Sequence, residues 1–213
     1  MLGLAAQWLG VNQTQANSVA PILISEEQGL HKSTFCRMLM PPQLAHYYSD
    51  NLKLTAQGNP ERLLAEMGLL NMDEFDKFGA QKMPLLKNLM QMSSLNICKA
   101  YQKNFRSLPR IASFIGTSNR TDLLCDPTGS RRFICIEAEH DIDCTGIEHS
   151  QIYAQLKEEL LAGARHWFNK EEEHALQCHN MAYYHVNPIE DIVRNTYAPV
   201  SYTHLTLPTK LEV

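Results

Sequence analysis

The sequence predicts an α/β fold, a mostly parallel sheet with helices packed on its faces in three layers. Three observations carry that expectation. Short apolar runs interleave with segments of helical period along the chain. Those runs are apolar in the manner of strands covered on both sides. They also end in polar residues, where sheets of this kind hold ligands beyond the carboxyl ends of their strands. A chain of 213 residues that is 44% hydrophobic and 20% charged has enough apolar material for one sizeable core and is not disordered as a whole. Its net charge of -4 excludes a global basic field directed at nucleic acid and leaves room for a local basic patch or a ring with a basic channel.

Taken in order, "PILI" at Pro21–Ile24 is a short buried strand that enters a loop and then a helix over Ser33–Met40, stopped by the prolines at 41 and 42. "AQGNPE" is a turn before a helix cap. "ERLLAEMGLLNMDEFD" runs from a short helix through Gly68 into a strand, Leu69–Met72, that ends in two acids. Leu85, Leu86, Leu89 and Met92 recur at helical spacing in "QKMPLLKNLMQMSS", with Lys82 and Lys87 between them. "LNICKAYQK" alternates loosely, as an edge strand or a hairpin arm does. "IASFIGTSN" is a strand, "DPTGS" a turn and "RRFICIEA" another strand. Ile152, Leu156, Leu160, Ala164 and Phe168 repeat every four residues and predict a helix over residues 151–168. A second helix follows over Lys170–Asn180 and a weaker one near 188–195.

Cys36, Cys98, Cys125, Cys135, Cys144 and Cys178 form no CxxC pair and lie mostly in apolar runs, so they read as free buried thiols in a reducing cytosol, against a disulfide set or a zinc site. "HDIDCTGIEH" has no zinc-site spacing and reads as loop. The apolar start "MLGLAAQWLG" lacks the basic segment of a signal peptide, and no run reaches the roughly 18 apolar residues of a membrane span. A cytoplasmic location without membrane contact is expected. Residues 1–20 read as a linker or the remnant of a missing N-terminal region, 21–185 as the folded domain and 186–199 as a helical extension. "SYTHLTLPTKLEV" at 200–213 changes character abruptly and reads as a non-native tail.

Four pieces carry chemistry. In "SEEQGLHKST", Lys32 and Ser33 stand at a helix start after an apolar strand, as in a loop whose backbone N–H groups surround phosphates while a lysine reaches them and a hydroxyl holds Mg2+. Gln28, Gly29, Leu30, His31, Lys32, Ser33 and Thr34 would then hold the nucleotide, although Glu26 and His31 occupy positions where the phosphate-loop pattern asks for glycine. The alternative is a solvated strand-to-helix turn. Asp73 and Glu74 side by side after a strand fit Mg-dependent ATP hydrolysis, the first organising the metal and the second the attacking water, or else a solvated acidic turn. Asn119 at a strand tip can hydrogen-bond that water or the terminal phosphate, unless Thr117 and Ser118 simply cap a helix. Arg131 and Arg132 can reach across a subunit boundary to stabilise phosphoryl charge, or pin a surface turn.

"RIASFIGTSNRTDLLCDPTGSRRFICIE", with "LLNMDEFD" and "QGLHKSTF", closely resembles the virulence-associated protein E family over roughly residues 20–185. That resemblance implies a P-loop NTPase fold related to AAA+ and superfamily III helicases, with ATP and Mg2+ as cofactors. It places Lys32 and Ser33 on the Walker A positions, Asp73 and Glu74 on Walker B, with Ser33 and Asp73 serving the Mg2+. Asn119 matches the sensor asparagine, and Arg131 or Arg132 an arginine finger. It further implies a helicase-like motor of mobile-element DNA replication that assembles as a ring homo-oligomer and forms the C-terminal half of a protein with a primase-like domain. A scaffold that binds nucleotide without hydrolysing it is the alternative. Single-stranded or forked DNA is the expected partner, with Lys99, Lys103, Arg106 and Arg110 interleaved with Tyr101 and Phe105 as candidate contacts, or else as a solvated hairpin face.

Overall fold

A computed structural model describes residues 1–11, 16–55, 58–98, 105–125 and 127–185. Five strands form one sheet: β1 (Ala20–Ile24), β2 (Tyr48–Ser49), β3 (Leu69–Met72), β6 (Ser113–Ser118) and β7 (Phe133–Glu137), in the spatial order β2-β3-β6-β1-β7. Every pairing in it is parallel. Two antiparallel strands, β4 (Ser94–Cys98) and β5 (Phe105–Pro109), form a separate hairpin. The helices are α1 (Leu2–Leu9), α2 (Lys32–Met38), α3 (Pro60–Glu66), α4 (Met83–Gln91), α5 (His149–Leu161) and α6 (Lys170–His179).

The strands read as apolar runs because both faces of the sheet are covered, and the period of two sorts each run between them. Ile22, Ile24, Leu70, Met72 and Phe114 pack with Leu64, Leu86 and Leu89 on the face that carries α3 and α4. Leu23, Leu69 and Ile115 pack with Leu4, Cys36 and Met40 on the other face, beneath α1 and α2. Gly116 lets the sheet close at its centre: a Cβ there would lie 2.7 Å from Ile22 Cδ1 and 3.2 Å from the Met72 carbonyl. The register pairs Ile24 with Ser118 and Met72 with Gly116, so the carboxyl ends of β1, β3 and β6 finish at one edge.

The structure departs from the sequence expectations at four places. Residues 2–9, expected within a linker or the remnant of a missing N-terminal region, form α1, whose Leu4, Ala5 and Ala6 are buried. Trp8 of that helix donates its indole N–H to the Gly68 carbonyl at 3.1 Å and stacks on Tyr153 of α5, ring centroids 5.5 Å apart. The helix expected over 151–168 ends at Leu161, because Gly163 takes a φ of 85° that breaks the helical path; Ala164 and Phe168 lie beyond it. On α4 the buried positions are Met83, Leu86, Leu89 and Met90, while Leu85 faces out at 39% exposure. "LNIC" is the first arm of a hairpin. The weak helix near 188–195 and the tail 200–213 lie outside the described residues.

Arg110 is the fourth departure. Expected on a DNA-facing surface, it is 1% exposed. Its guanidinium donates to the carbonyls of Ala112 (2.7 Å), Met90 (2.6 Å) and Asn17 (2.7 Å), with longer bonds to Leu89 and Met92, and it lies over the Phe114 ring. Leu89, Met90 and Met92 are the last carbonyls of α4, where a cation answers the negative helix end. Burial pulls the Arg110 pKa down to about 10, which leaves it charged. It joins the entry to β1, the end of α4 and the start of β6 and has no face left for a ligand. Among the described residues, no helix is long and apolar enough to cross a membrane.

Candidate functional site

β1 is the next-to-last strand of the sheet, flanked by β6 and β7, and the loop leaving it is closed by its own polar groups. The Ser25 N–H donates to the Ser118 carbonyl at 3.2 Å, which ties the loop to the tip of β6. Ser25 Oγ accepts from the Glu27 N–H and donates to the Glu27 carbonyl, both at 3.1 Å. The chain then needs two left-handed residues before α2 can start: Gly29, with φ 90°, and His31, with φ 57°. A non-glycine residue in that region costs about 1–2 kcal/mol. His31 Nδ1 meets Asp141 Oδ1 at 2.6 Å, an exposed pair that offsets part of the cost. Glu26 and Gln28 are exposed, as are Ser33 and Thr34, and Leu30 is half-buried.

Lys32 is 7% exposed, and its ammonium donates back to the carbonyls of Ser25 (3.1 Å) and Glu27 (3.2 Å). Desolvation lowers its pKa, opposed by the charge of Asp73. Two hydroxyls converge on one carboxylate oxygen: Ser33 Oγ donates to Asp73 Oδ1 at 3.0 Å and Thr117 Oγ1 donates to the same atom at 2.6 Å. The Glu74 N–H lies 3.4 Å from Thr117 Oγ1, and Glu74 holds a left-handed φ of 52°. Its carboxylate is engaged by Lys77 at 2.6 Å. Next to it, Ser118 Oγ donates to the Arg120 carbonyl at 2.8 Å and lies 3.2 Å from Asp76 Oδ1. Asn119 sits half-buried just past the end of β6, on the same edge.

The structure thus gathers Lys32, Ser33, Asp73, Glu74 and Asn119 at the carboxyl edge of the sheet. It separates Arg131 and Arg132 from them. Both precede β7, whose Phe133 pairs with Ala20 at the amino end of β1. Five parallel residues span roughly 15 Å, so the arginines stand at the far edge of the sheet. There Arg131 pairs with Glu173 at 3.1 Å, while Arg132 is 9% exposed. Arg106 is exposed on the hairpin; Lys99 and Lys103 lie outside the described residues. Asp76 and Asp141 are contacts that the sequence reading missed, and Thr117, read there as a possible helix cap, lies in β6 with its hydroxyl on Asp73. The signal for Thr117 is register: once Met72 pairs with Gly116, Thr117 must flank Asp73. Among the described residues, no group of three His, Cys, Asp or Glu side chains is placed to hold a metal.

The Virulence-associated protein E-like domain family matches residues 11–185. The chain belongs to that family. Among solved structures it is similar to the apo C-terminal region of NrS-1, at 20% identity and a TM-score of 0.46, covering 85% of this chain and 40% of that one. An A-form apo structure of the same region gives 19% identity and a TM-score of 0.44, covering 85% of this chain and 38% of that one. A second A-form structure gives 19% and 0.43, covering 84% and 46%. The chain therefore spans less than half the length of the solved chains it matches. No curated protein sequence matches it significantly.

Proposed function

We propose that this domain binds ATP with Mg2+ in the loop between β1 and α2 and hydrolyses it as a P-loop motor acting on DNA. The observation that carries the reading is the meeting of Ser33 and Thr117 on Asp73 Oδ1, one residue from Lys32 on one side and from Glu74 on the other. A buried lysine capped by two loop carbonyls is a cation held ready for an incoming anion. The strand order supports it as well, since the acidic strand β3 is separated from β1 by one strand, whose tip carries Thr117 and Asn119.

Hydroxyl and carboxylate oxygens are the hard donors Mg2+ takes, and with so few protein ligands most of its shell would come from water and phosphate, as it favours. Bound there, Mg2+ would neutralise charge on the phosphoryl oxygens. Lys32 leaves the Ser25 and Glu27 carbonyls for the outer phosphates. Ser33 and Asp73 would hold the Mg2+, with Thr117 fixing the Asp73 carboxylate. Glu74 orients a water for in-line attack and takes its proton, and the Asn119 amide holds the water or the terminal phosphate. Arg131 and Arg132, at the far edge of the sheet, can serve such a site only from another copy of the chain, which favours a ring in which each subunit completes its neighbour.

The test is ATP turnover with and without single-stranded DNA, beside Lys32→Ala and Glu74→Gln. Turnover stimulated by DNA and reduced at least about 100-fold in both variants is the expected result. ATP binding without turnover in the folded wild type would establish a nucleotide-gated scaffold instead, and loss of binding as well would reject the loop assignment.

A further inference from the structure

A cleft of about 210 Å³ is lined by Asp73 and Glu74 on one side and by Lys53, Lys77, Lys82 and Phe78 around them. The three lysines come from three segments: the loop after β2, the 3-10 turn after β3, and the residue that precedes α4. All three are exposed, and Phe78 is half-buried. Three ammonium groups on separate segments outnumber the two carboxylates of the cleft and make a point-charge surface, which contacts phosphates without reading bases. Phe78 adds an apolar wall against which a base can lie, with Lys82 Nζ 5.9 Å from its ring centroid.

The same cleft holds Glu74 by its ion pair with Lys77. That pair is exposed, with side chains 69% and 48% accessible, so it is weak and a single competing phosphate can displace it.

We propose that this cleft takes the phosphate backbone of a single-stranded nucleic acid, and that a phosphate bound there draws Lys77 away from Glu74 and frees the carboxylate for the nucleotide. The latch rests on the catalytic reading of Glu74; the cleft does not. Lys77 is then a positioning residue through which the motor senses its track. The terminal phosphates of bound ATP are the other source of the same chemistry.

The experiment uses the full chain and Lys53→Gln, Lys77→Gln and Lys82→Gln, with Lys157→Gln on α5 as control. Binding of a fluorescein-labelled oligothymidylate is followed by anisotropy across a KCl series, beside ADP binding and ATP turnover. Each cleft variant is expected to weaken oligonucleotide binding several-fold and to lower the slope of log K against log salt by about 0.7, with ADP affinity unchanged. Lys77→Gln is further expected to raise DNA-free turnover about two- to five-fold and to shrink the stimulation by DNA. Unchanged oligonucleotide affinity and salt slope in all three variants overturns the cleft. Loss of ADP affinity in place of oligonucleotide affinity overturns it too, by giving the lysines to the nucleotide. A wild type without any turnover overturns the latch together with the catalytic reading, while the oligonucleotide arm still judges the cleft alone.

Discussion

The loop from Ser25 to His31 and the strand β6 reach the same edge of the sheet by opposite means. β6 is buried along all six residues, paired on both sides and anchored at its start by Arg110, so Thr117 and Asn119 stand where the register puts them. The loop is mostly exposed, is held by hydrogen bonds to itself, to one β6 carbonyl and to the segment at Asp141 and Ile142, and contains a histidine in a left-handed conformation. A strand cannot change one residue without moving its neighbours. A loop needs only its dihedral angles, which a second residue type can supply at a cost of about 1 kcal/mol. The loop, where Glu26 and His31 stand in place of the glycines of a phosphate loop, is therefore the half of the edge that geometry constrains less.

Breaking the strand side at its anchor has the largest expected effect. Arg110→Met removes the donor for several buried carbonyls and is expected to cost about 3 kcal/mol or more, a fall in Tm of about 6–12 °C by calorimetry. Thr117→Val keeps shape and strand propensity while deleting the hydroxyl on Asp73. It should cost about 1–2 kcal/mol by denaturant titration and lower ATP turnover about tenfold, with nucleotide affinity within about twofold. The loop side gives the smallest effect and the opposite sign. His31→Gly removes the left-handed penalty together with a weak exposed pair, so stability should rise by up to about 1 kcal/mol with ATP binding retained. His31→Val, which tolerates positive φ poorly, should lose more than 1 kcal/mol; equal stability of the two variants would contradict the strain argument.

The layered α/β arrangement was legible because the central strands β1, β3 and β6 are buried on both faces and read as largely apolar runs. The edge residues Asp73, Glu74 and Asn119 were legible because each follows the end of a strand, and Lys32 and Ser33 because they open the helix after a strand and its loop. Arg110 was misread since a sequence gives its charge but not the three segments whose carbonyls surround it. Helix α5 was over-extended because a four-residue period continues through Gly163, whose backbone does not. The Glu74–Lys77 pair and the left-handed turn at Glu74 depend on a backbone angle that no periodicity encodes.

The docking of α1 bears on the order in which the chain is assembled. Trp8 leaves the ribosome well before its partners, the Gly68 carbonyl and the ring of Tyr153, which follows most of the domain. At about 5–20 residues per second, α1 waits on the order of ten seconds before α5 can cover it. Over that interval its apolar side is open to chaperones or to another nascent chain, and the last docking step closes a long loop. Moving "MLGLAAQWL" to follow α5 would shorten that wait, at the cost of the Gly10 and Val11 backbone bonds that close α1.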